Sequence, residues 1–222
     1  MQLDIFSKDL DSKKKEFVYY ARLIYKKGFV VAYEGNLSIR LNENYILVTP
    51  SKFCKGKLQT KDLVIVDKEG NLVYSENSLQ PTSEILMHLA VYKHRKDINA
   101  VIHSHPPYSI ALTLSGISLE EPDLPEILLV LGSVPTAKYA LTGTQEMVEA
   151  ILPYISYNSI LLSHHGVLSL GENLEEAYYR LEEVEHCAKI LCIAHQIGNI
   201  QTLPSYRKIE IKELQKKYLR KD

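Results

Sequence analysis

Two short segments concentrate imidazoles: Ile102-His103-Ser104-His105-Pro106 and Leu161-Leu162-Ser163-His164-His165-Gly166. In extended backbone, residues i and i+2 point to the same side about 7 Å apart, near enough for the rings of His103 and His105 to bind one ion. The second segment again brings histidine to the end of an apolar run, at a turn containing glycine. Three imidazoles with an open position describe a catalytic zinc site, whereas a structural site is usually closed by four ligands rich in cysteine. A histidine alone at a strand end is more often a hydrogen-bonded structural residue than a ligand. The two segments together are harder to explain that way, and they point to a metal.

A proton carrier is suggested by Pro81-Thr82-Ser83-Glu84, which precedes Ile85, Leu86, Leu89 and Tyr92 at helical spacing. A helix start offers unpaired N–H groups and a favourable dipole for anions, so Glu84 in the first turn reads either as a cap or as a functional carboxylate. The Gly35-Asn36 turn is similarly two-sided: glycine lets backbone N–H groups approach a ligand closely, and Gly-Asn is also an ordinary turn. Glu182, Glu183, Glu185 and His186 read as a solvated helix face rather than a second metal site. His88, His94 and His195 read as helix-surface or satisfied residues, and Cys54, Cys187 and Cys192 as core or near-surface thiols.

The elements that must position these groups follow from periodicity. Residues 8–27 place Phe17, Tyr20, Ala21 and Ile24 on one helical face, with Gly28 where a left-handed C-cap belongs. Leu37–Leu41 with Tyr45–Thr49, and Leu63–Val66 with Leu72–Tyr74, flank polar turns and predict two β-hairpins. A helix is expected from Ser83 to about Arg95, a buried strand over Asn99–His103, a short helix over Pro107–Leu114 and another strand over Ser159–Ser163. From Asn173 to about Gln196, Leu174, Ala177, Tyr178, Leu181 and Val184 mark a long helix. The Lys-rich stretch Glu210–Lys221 reads as a polar, helix-capable tail. The class is α/β or α+β, a mixed sheet covered by helices.

At 222 residues the chain is expected to form one domain over 1–222. The 26 basic and 27 acidic side chains leave a net charge of −1, without the basic stripe that displaces counterions from phosphates, so nucleic acid is not an expected partner. Three cysteines without CxxC spacing predict a reduced compartment. Neither a signal-peptide core at the N-terminus nor any apolar run of about 20 residues is present, which predicts a cytoplasmic protein with no membrane partner.

Taken in order, Gly35-Asn36-Leu37-Ser38-Ile39-Arg40, Thr49-Pro50-Ser51, Pro81-Thr82-Ser83-Glu84, His103-Ser104-His105 and His164-His165-Gly166 resemble the class II aldolase/adducin family. Tyr139-Ala140-Leu141-Thr142-Gly143-Thr144 and Glu183-Val184-Glu185 extend the resemblance, which spans roughly residues 16–195. It implies a three-layer αβα domain with a largely antiparallel central sheet, assembled as a homotetramer with active sites between subunits. The ligands it implies for a divalent ion, Zn2+ with Mn2+ or Co2+ as alternatives, are His103, His105 and His165, the histidine directly before Gly166. Glu84 is implied as the catalytic acid/base, able to complete the metal shell. The phosphate-binding positions implied are Gly35, Asn36, Ser51, Lys52, Thr82 and Ser83. Lys52 departs from pattern, standing where glycine often supplies a backbone N–H; a lysine can offer its amide or its ammonium, and Gly56 could restore freedom to the loop. The loop Asp123-Leu124-Pro125-Glu126 lacks the tyrosine that the family's aldolases place there, and Tyr206 and Tyr218 lie in the tail.

The activity implied is that of the family's fuculose-phosphate aldolases, cleavage of a ketose 1-phosphate to dihydroxyacetone phosphate and an aldehyde. Glu84 argues against the pentulose-5-phosphate 4-epimerases, which use aspartate at that position. Thr82-Ser83-Glu84 leans away from methylthioribulose-1-phosphate dehydratases, which typically read Pro-Ser-Ala-Glu. A salvage aldolase for 5-deoxyribulose or methylthioribulose 1-phosphate would share every motif. An adducin-like binding module would lack the three histidines.

Overall fold

The computed structural model describes residues 7–218. The first six residues and the end of the tail, including Lys221, lie outside them. Helix α1 (Lys8–Lys26) is capped by the Ser7 hydroxyl, which accepts from the Leu10 amide, and buries Phe17, Ala21 and Ile24. It closes as the glycine signal predicts, with Gly28 N–H donating to the Tyr25 carbonyl and Phe29 N–H to the Ile24 carbonyl.

Eight strands follow: β1 (Asn36–Arg40), β2 (Tyr45–Val48), β3 (Val64–Asp67), β4 (Leu72–Ser75), β5 (Ala100–Ser104), β6 (Thr136–Ala137), β7 (Ser159–Leu162) and β8 (Gly166–Gly171). They form one sheet in the order β4-β3-β2-β1-β5-β8-β7-β6, antiparallel throughout except for the parallel pair β6/β7. Both hairpins expected from the sequence are present. Neither β6 nor β8 stood out in it: β6 is two residues long, and β8 begins directly after the histidine turn that dominates its surroundings.

Helices α2 (Ile85–His94) and α5 (Gln145–Ile151) cover one face, while α1, α3 (Pro107–Ser115), α4 (Pro125–Val130) and α6 (Leu174–Ile197) cover the other. The central strands therefore bury both faces, and their apolar runs are continuous. Alternate residues go to opposite cores: Ala100 and Ile102 face the α1/α6 side and Val101 the α2 side, as Leu161 and Val167 oppose Ile160 and Leu168. The result is the three-layer αβα arrangement.

Three expectations need correction, and a fourth, the helical tail, is extended. Glu84 is the N-cap residue of α2 rather than a first-turn residue, and its side chain caps nothing. The segment read as loop at Asp123–Glu126 already enters α4, with Pro125 at the position where a missing N–H costs no hydrogen bond. The tail helix α7 (Ser205–Tyr218) starts five residues before Glu210, which leads into the expected stretch, and packs beside α4. Glu185 is no solvated residue. It is buried in α6 and accepts from the Tyr108 amide (3.0 Å), the Ser109 amide (2.8 Å) and the Ser109 hydroxyl (2.7 Å). Glu185 thus serves as a cap in trans for α3, satisfying N–H groups that a helix start leaves open. His186, by contrast, is exposed.

Candidate metal and acid/base site

Strand β5 leaves the sheet between β1 and β8, so the backbone of His103 is held on both sides, opposite Asn36 and Leu168. His105 is fixed one step beyond the strand by its amide donating to the Phe29 carbonyl (2.8 Å). The β7–β8 hairpin turn brings His165 across. His164 takes a left-handed conformation with φ +60 and turns outward, exposed, while His165 turns in. Gly166 permits the close approach of this turn to β5, since a Cβ there would collide with the Ser104 carbonyl.

Three Nε2 atoms converge. Those of His105 and His165 lie 3.0 and 3.2 Å from that of His103. The His103 Nδ1–H donates to the Val167 carbonyl (3.0 Å), and His105 Nδ1 faces the Glu34 carboxylate (3.2 Å). Both tautomers therefore leave the Nε2 lone pair pointing inward, where no proton separates the rings. Two nitrogens bound tetrahedrally to one zinc at 2.0–2.1 Å would be ~3.3 Å apart, close to the spacings seen. Burial pushes all three imidazoles toward the neutral form, His165 to about 4 and His103 well below its ordinary value. Neutral, converging lone pairs suit a cation, and the triad could hold a metal ion.

Glu84 closes the group. Its Oε2 is 3.4 Å from His103 Nε2 and its Oε1 3.5 Å from His165 Nε2. Oε1 and the Nδ1 of His165 are buried without a hydrogen-bond partner among the described residues. Burial raises the Glu84 pKa, against the Asn36 hydrogen bond and the nearby Lys55 charge that lower it. A carboxyl raised in this way beside a cation-binding triad is suited to carrying a proton.

Behind Glu84 runs a buried chain of hydrogen bonds that the sequence reading missed. The Tyr92 hydroxyl can donate to Ser38 Oγ (2.7 Å), Ser38 to His88 Nδ1 (2.7 Å), His88 Nε2–H to Asn36 Oδ1 (2.5 Å), and Asn36 Nδ2–H to Glu84 Oε2 (2.7 Å). One donor direction satisfies every link, and Asn36 can orient the carboxylate only in this sense. A signal was available: Asn36 and Ser38 share one face of β1, and Glu84, His88 and Tyr92 share one face of α2.

A cavity of about 420 Å3 contains Gly35, Asn36, Ser51, Lys52, Thr82, Ser83, Glu84, His105 and His165 in its wall, so all six expected phosphate positions face the triad. A larger groove of about 530 Å3, bordered by α2 and α5, contains none of them in its wall. Gly35 has φ +67, and a Cβ would stand 2.8 Å from the His103 carbonyl, so only glycine lets the turn lie against β5. Lys52 keeps the left-handed backbone glycine would take, with φ +54, and sends its side chain to solvent. Gly56 does not loosen this loop: a Cβ there would sit 2.5 Å from the Tyr25 ring, so its role is close packing on α1. Lys55, unnoticed in the sequence, is buried in the cavity wall. Among the described residues no helix is long and apolar enough to cross a membrane.

The family described as Class II Aldolase and Adducin N-terminal domain matches residues 15–192. An L-fuculose phosphate aldolase of Methanococcus maripaludis is 34% identical over 182 residues, 82% of this chain and 97% of its own. A 5-deoxy-D-ribulose 1-phosphate aldolase of Bacillus thuringiensis is 30% identical, covering 94% and 96%. A 3-oxo-tetronate 4-phosphate decarboxylase of Haemophilus influenzae is 32% identical, covering 81% and 86%, which adds a chemistry the motifs did not suggest. The solved structure of an L-fuculose 1-phosphate aldolase superposes with a TM-score of 0.78 at 31% identity, covering 93% of this chain and 96% of that one. With its motifs, sheet order and histidine triad in place, the chain belongs to the class II aldolase/adducin family and is an enzyme of aldolase or lyase type.

Proposed function

We propose that this protein is a zinc-dependent aldehyde-lyase that cleaves a ketose 1-phosphate of the fuculose type to dihydroxyacetone phosphate and an aldehyde. The observation that carries the proposal is the position of Glu84: a partly buried carboxylate, aimed by Asn36, 3.4 Å from the imidazole of His103 and in the same cavity as the turns proposed to bind phosphate. His103, His105 and His165 would hold the metal, and Glu84 could complete its shell. Gly35, Asn36, Ser51, Lys52, Thr82 and Ser83 take the phosphate. The protein works as one domain over 1–222, in the cytoplasm, as a homotetramer with its sites at subunit interfaces.

A bound divalent ion supplies Lewis acidity toward the substrate's carbonyl and neighbouring hydroxyl. This chain's residues do the rest. The backbone turns at Gly35 and Lys52 and the hydroxyls of Ser51, Thr82 and Ser83 fix the phosphate, turning remote binding energy into orientation of the bond to be broken. When the C3–C4 bond breaks, the C4 hydroxyl passes its proton to solvent water in the cavity and becomes the aldehyde, and the electron pair stays on C3, conjugated with the C2 carbonyl; solvent afterwards returns a proton to Glu84. Glu84, protonated, delivers its proton to C3 and completes dihydroxyacetone phosphate; in synthesis it removes that proton.

A second reading, favoured by the similarity to the decarboxylase, releases carbon dioxide from a 3-oxo acid phosphate. The same enediol character develops and the same Glu84 returns a proton. A coupled assay decides: dihydroxyacetone phosphate should appear from fuculose 1-phosphate or 5-deoxyribulose 1-phosphate with zinc and vanish with chelator. Carbon dioxide from 3-oxo-tetronate 4-phosphate alone, or water lost from methylthioribulose 1-phosphate alone, would overturn the aldolase.

A further inference from the structure

Lys55 is 2% exposed, yet it stands in the wall of the cavity that holds Glu84 and the histidines. Its ammonium donates to the carbonyls of Tyr33 (2.8 Å) and Phe53 (3.1 Å). Glu34 and Glu84 reach it only through space, without a contact, and burial pushes its pKa down to about 8. An ammonium has three donors, so one N–H has no partner among the described residues. A buried cation whose hydrogen bonds go only to neutral carbonyls, its nearest carboxylates out of contact, is incompletely compensated unless an anion meets it. Two neutral N–H donors would tie the carbonyls equally well, so the tie alone does not explain the charge.

The position of the charge is informative. Tyr33 precedes Glu34-Gly35-Asn36, and Phe53 follows Ser51-Lys52, so the two carbonyls belong to the two turns assigned to phosphate. The Lys52 side chain is exposed. We infer that Lys55 is the cation of the phosphate side of the cavity: its remaining N–H and its charge receive the substrate's phosphoryl group, while its other two donors lock the two phosphate-binding turns together. This rests on the sugar-phosphate reading and names the residue that supplies its counter-charge. A charge-assisted contact of this kind is a positioning and binding interaction, so its loss falls on affinity.

The test uses the full, zinc-loaded protein and inorganic phosphate as the probe, followed by calorimetric titration and thermal shift. Wild type should bind phosphate. Lys55→Met should weaken that binding by about 10- to 100-fold, and Lys55→Arg should retain most of it. With the ketose phosphate that wild type cleaves, Lys55→Met should raise KM by a similar factor with a smaller change in kcat. A residue that merely ties two loops would lower Tm with and without phosphate alike and leave the phosphate Kd unchanged, and that outcome overturns the assignment, as does absence of phosphate binding by wild type. Should Lys55→Met not fold, Lys55→Gln and Lys55→Arg serve instead: equal phosphate affinity in the two counts against Lys55, and affinity kept only by Arg supports it. Phosphate bound through Lys55 by a protein that cleaves no ketose phosphate supports the assignment and sinks only the aldolase; cleavage with a KM indifferent to Lys55→Met sinks only the assignment.

Discussion

The two walls of the cavity are built differently. The histidine wall stands on the sheet: His103 lies in β5 with paired strands on either side, and His165 in a turn between two antiparallel strands. The opposite wall is three turns, at residues 33–36, 50–52 and 82–84, joined by scattered ties: Ser51 N–H to the Gln80 carbonyl (2.9 Å), Thr82 N–H to the Thr49 carbonyl (3.1 Å), and the two bonds from Lys55. A sheet holds atoms to fractions of an ångström, which lone pairs converging on one ion require; turns offer backbone N–H groups and hydroxyls to an oxyanion. Glu84 is the hinge between the two walls, since it belongs by sequence to the turns and by contact to the histidines.

Removing that hinge should have the largest effect. Glu84→Gln is expected to retain zinc while turnover falls by about 10²- to 10⁴-fold, the range for a lost general acid/base. Metal content by atomic absorption beside the coupled assay checks this, and a Gln variant with full activity would break the division of labour. Glu34→Gln cuts a contact that reaches from the turn at 33–36 to the histidine wall. Its carboxylate fixes the His105 tautomer, so zinc affinity should fall by about 10- to 100-fold. Equal zinc affinity in competition with a chelator would show that the carboxylate is incidental.

The smallest effect concerns stability and pH. His88 is fully buried and neutral, its pKa pushed down to about 3 by burial. Unfolding restores a value near 6.5, so below that pH the unfolded chain binds a proton that the folded one refuses. The stabilisation is complete above about pH 6.5 and erodes as pH falls toward 3. Between pH 7 and 4.5, denaturant midpoints should therefore fall more for wild type than for His88→Gln, and parallel curves would remove His88 from the account.

Much of the histidine wall was legible in the residues, because period two is a local property: His103 in β5 and His105, one step beyond it in extended backbone, point to the same side. The helices α1, α2, α3 and α6 and both hairpins were legible for the same reason. Glu185 was misread because its neighbours on α6 are solvated glutamates and only the docking of α3, 76 residues away, makes it a cap. The same holds for Lys55, whose sequence setting of Cys54 and Gly56 is featureless, and for β6, too short to carry a period.

By itself, then, the sequence determined which residues could bind a metal and which elements carry them, since imidazole chemistry and backbone period are properties of short segments. The tertiary structure decided that His165 rather than His164 turns inward, that Asn36 aims Glu84 while His88 aims Asn36, and that a buried lysine ties the turns at 33–36 and 51–53. Those outcomes depend on burial and on hydrogen bonds between residues up to 62 positions apart, which no local pattern encodes.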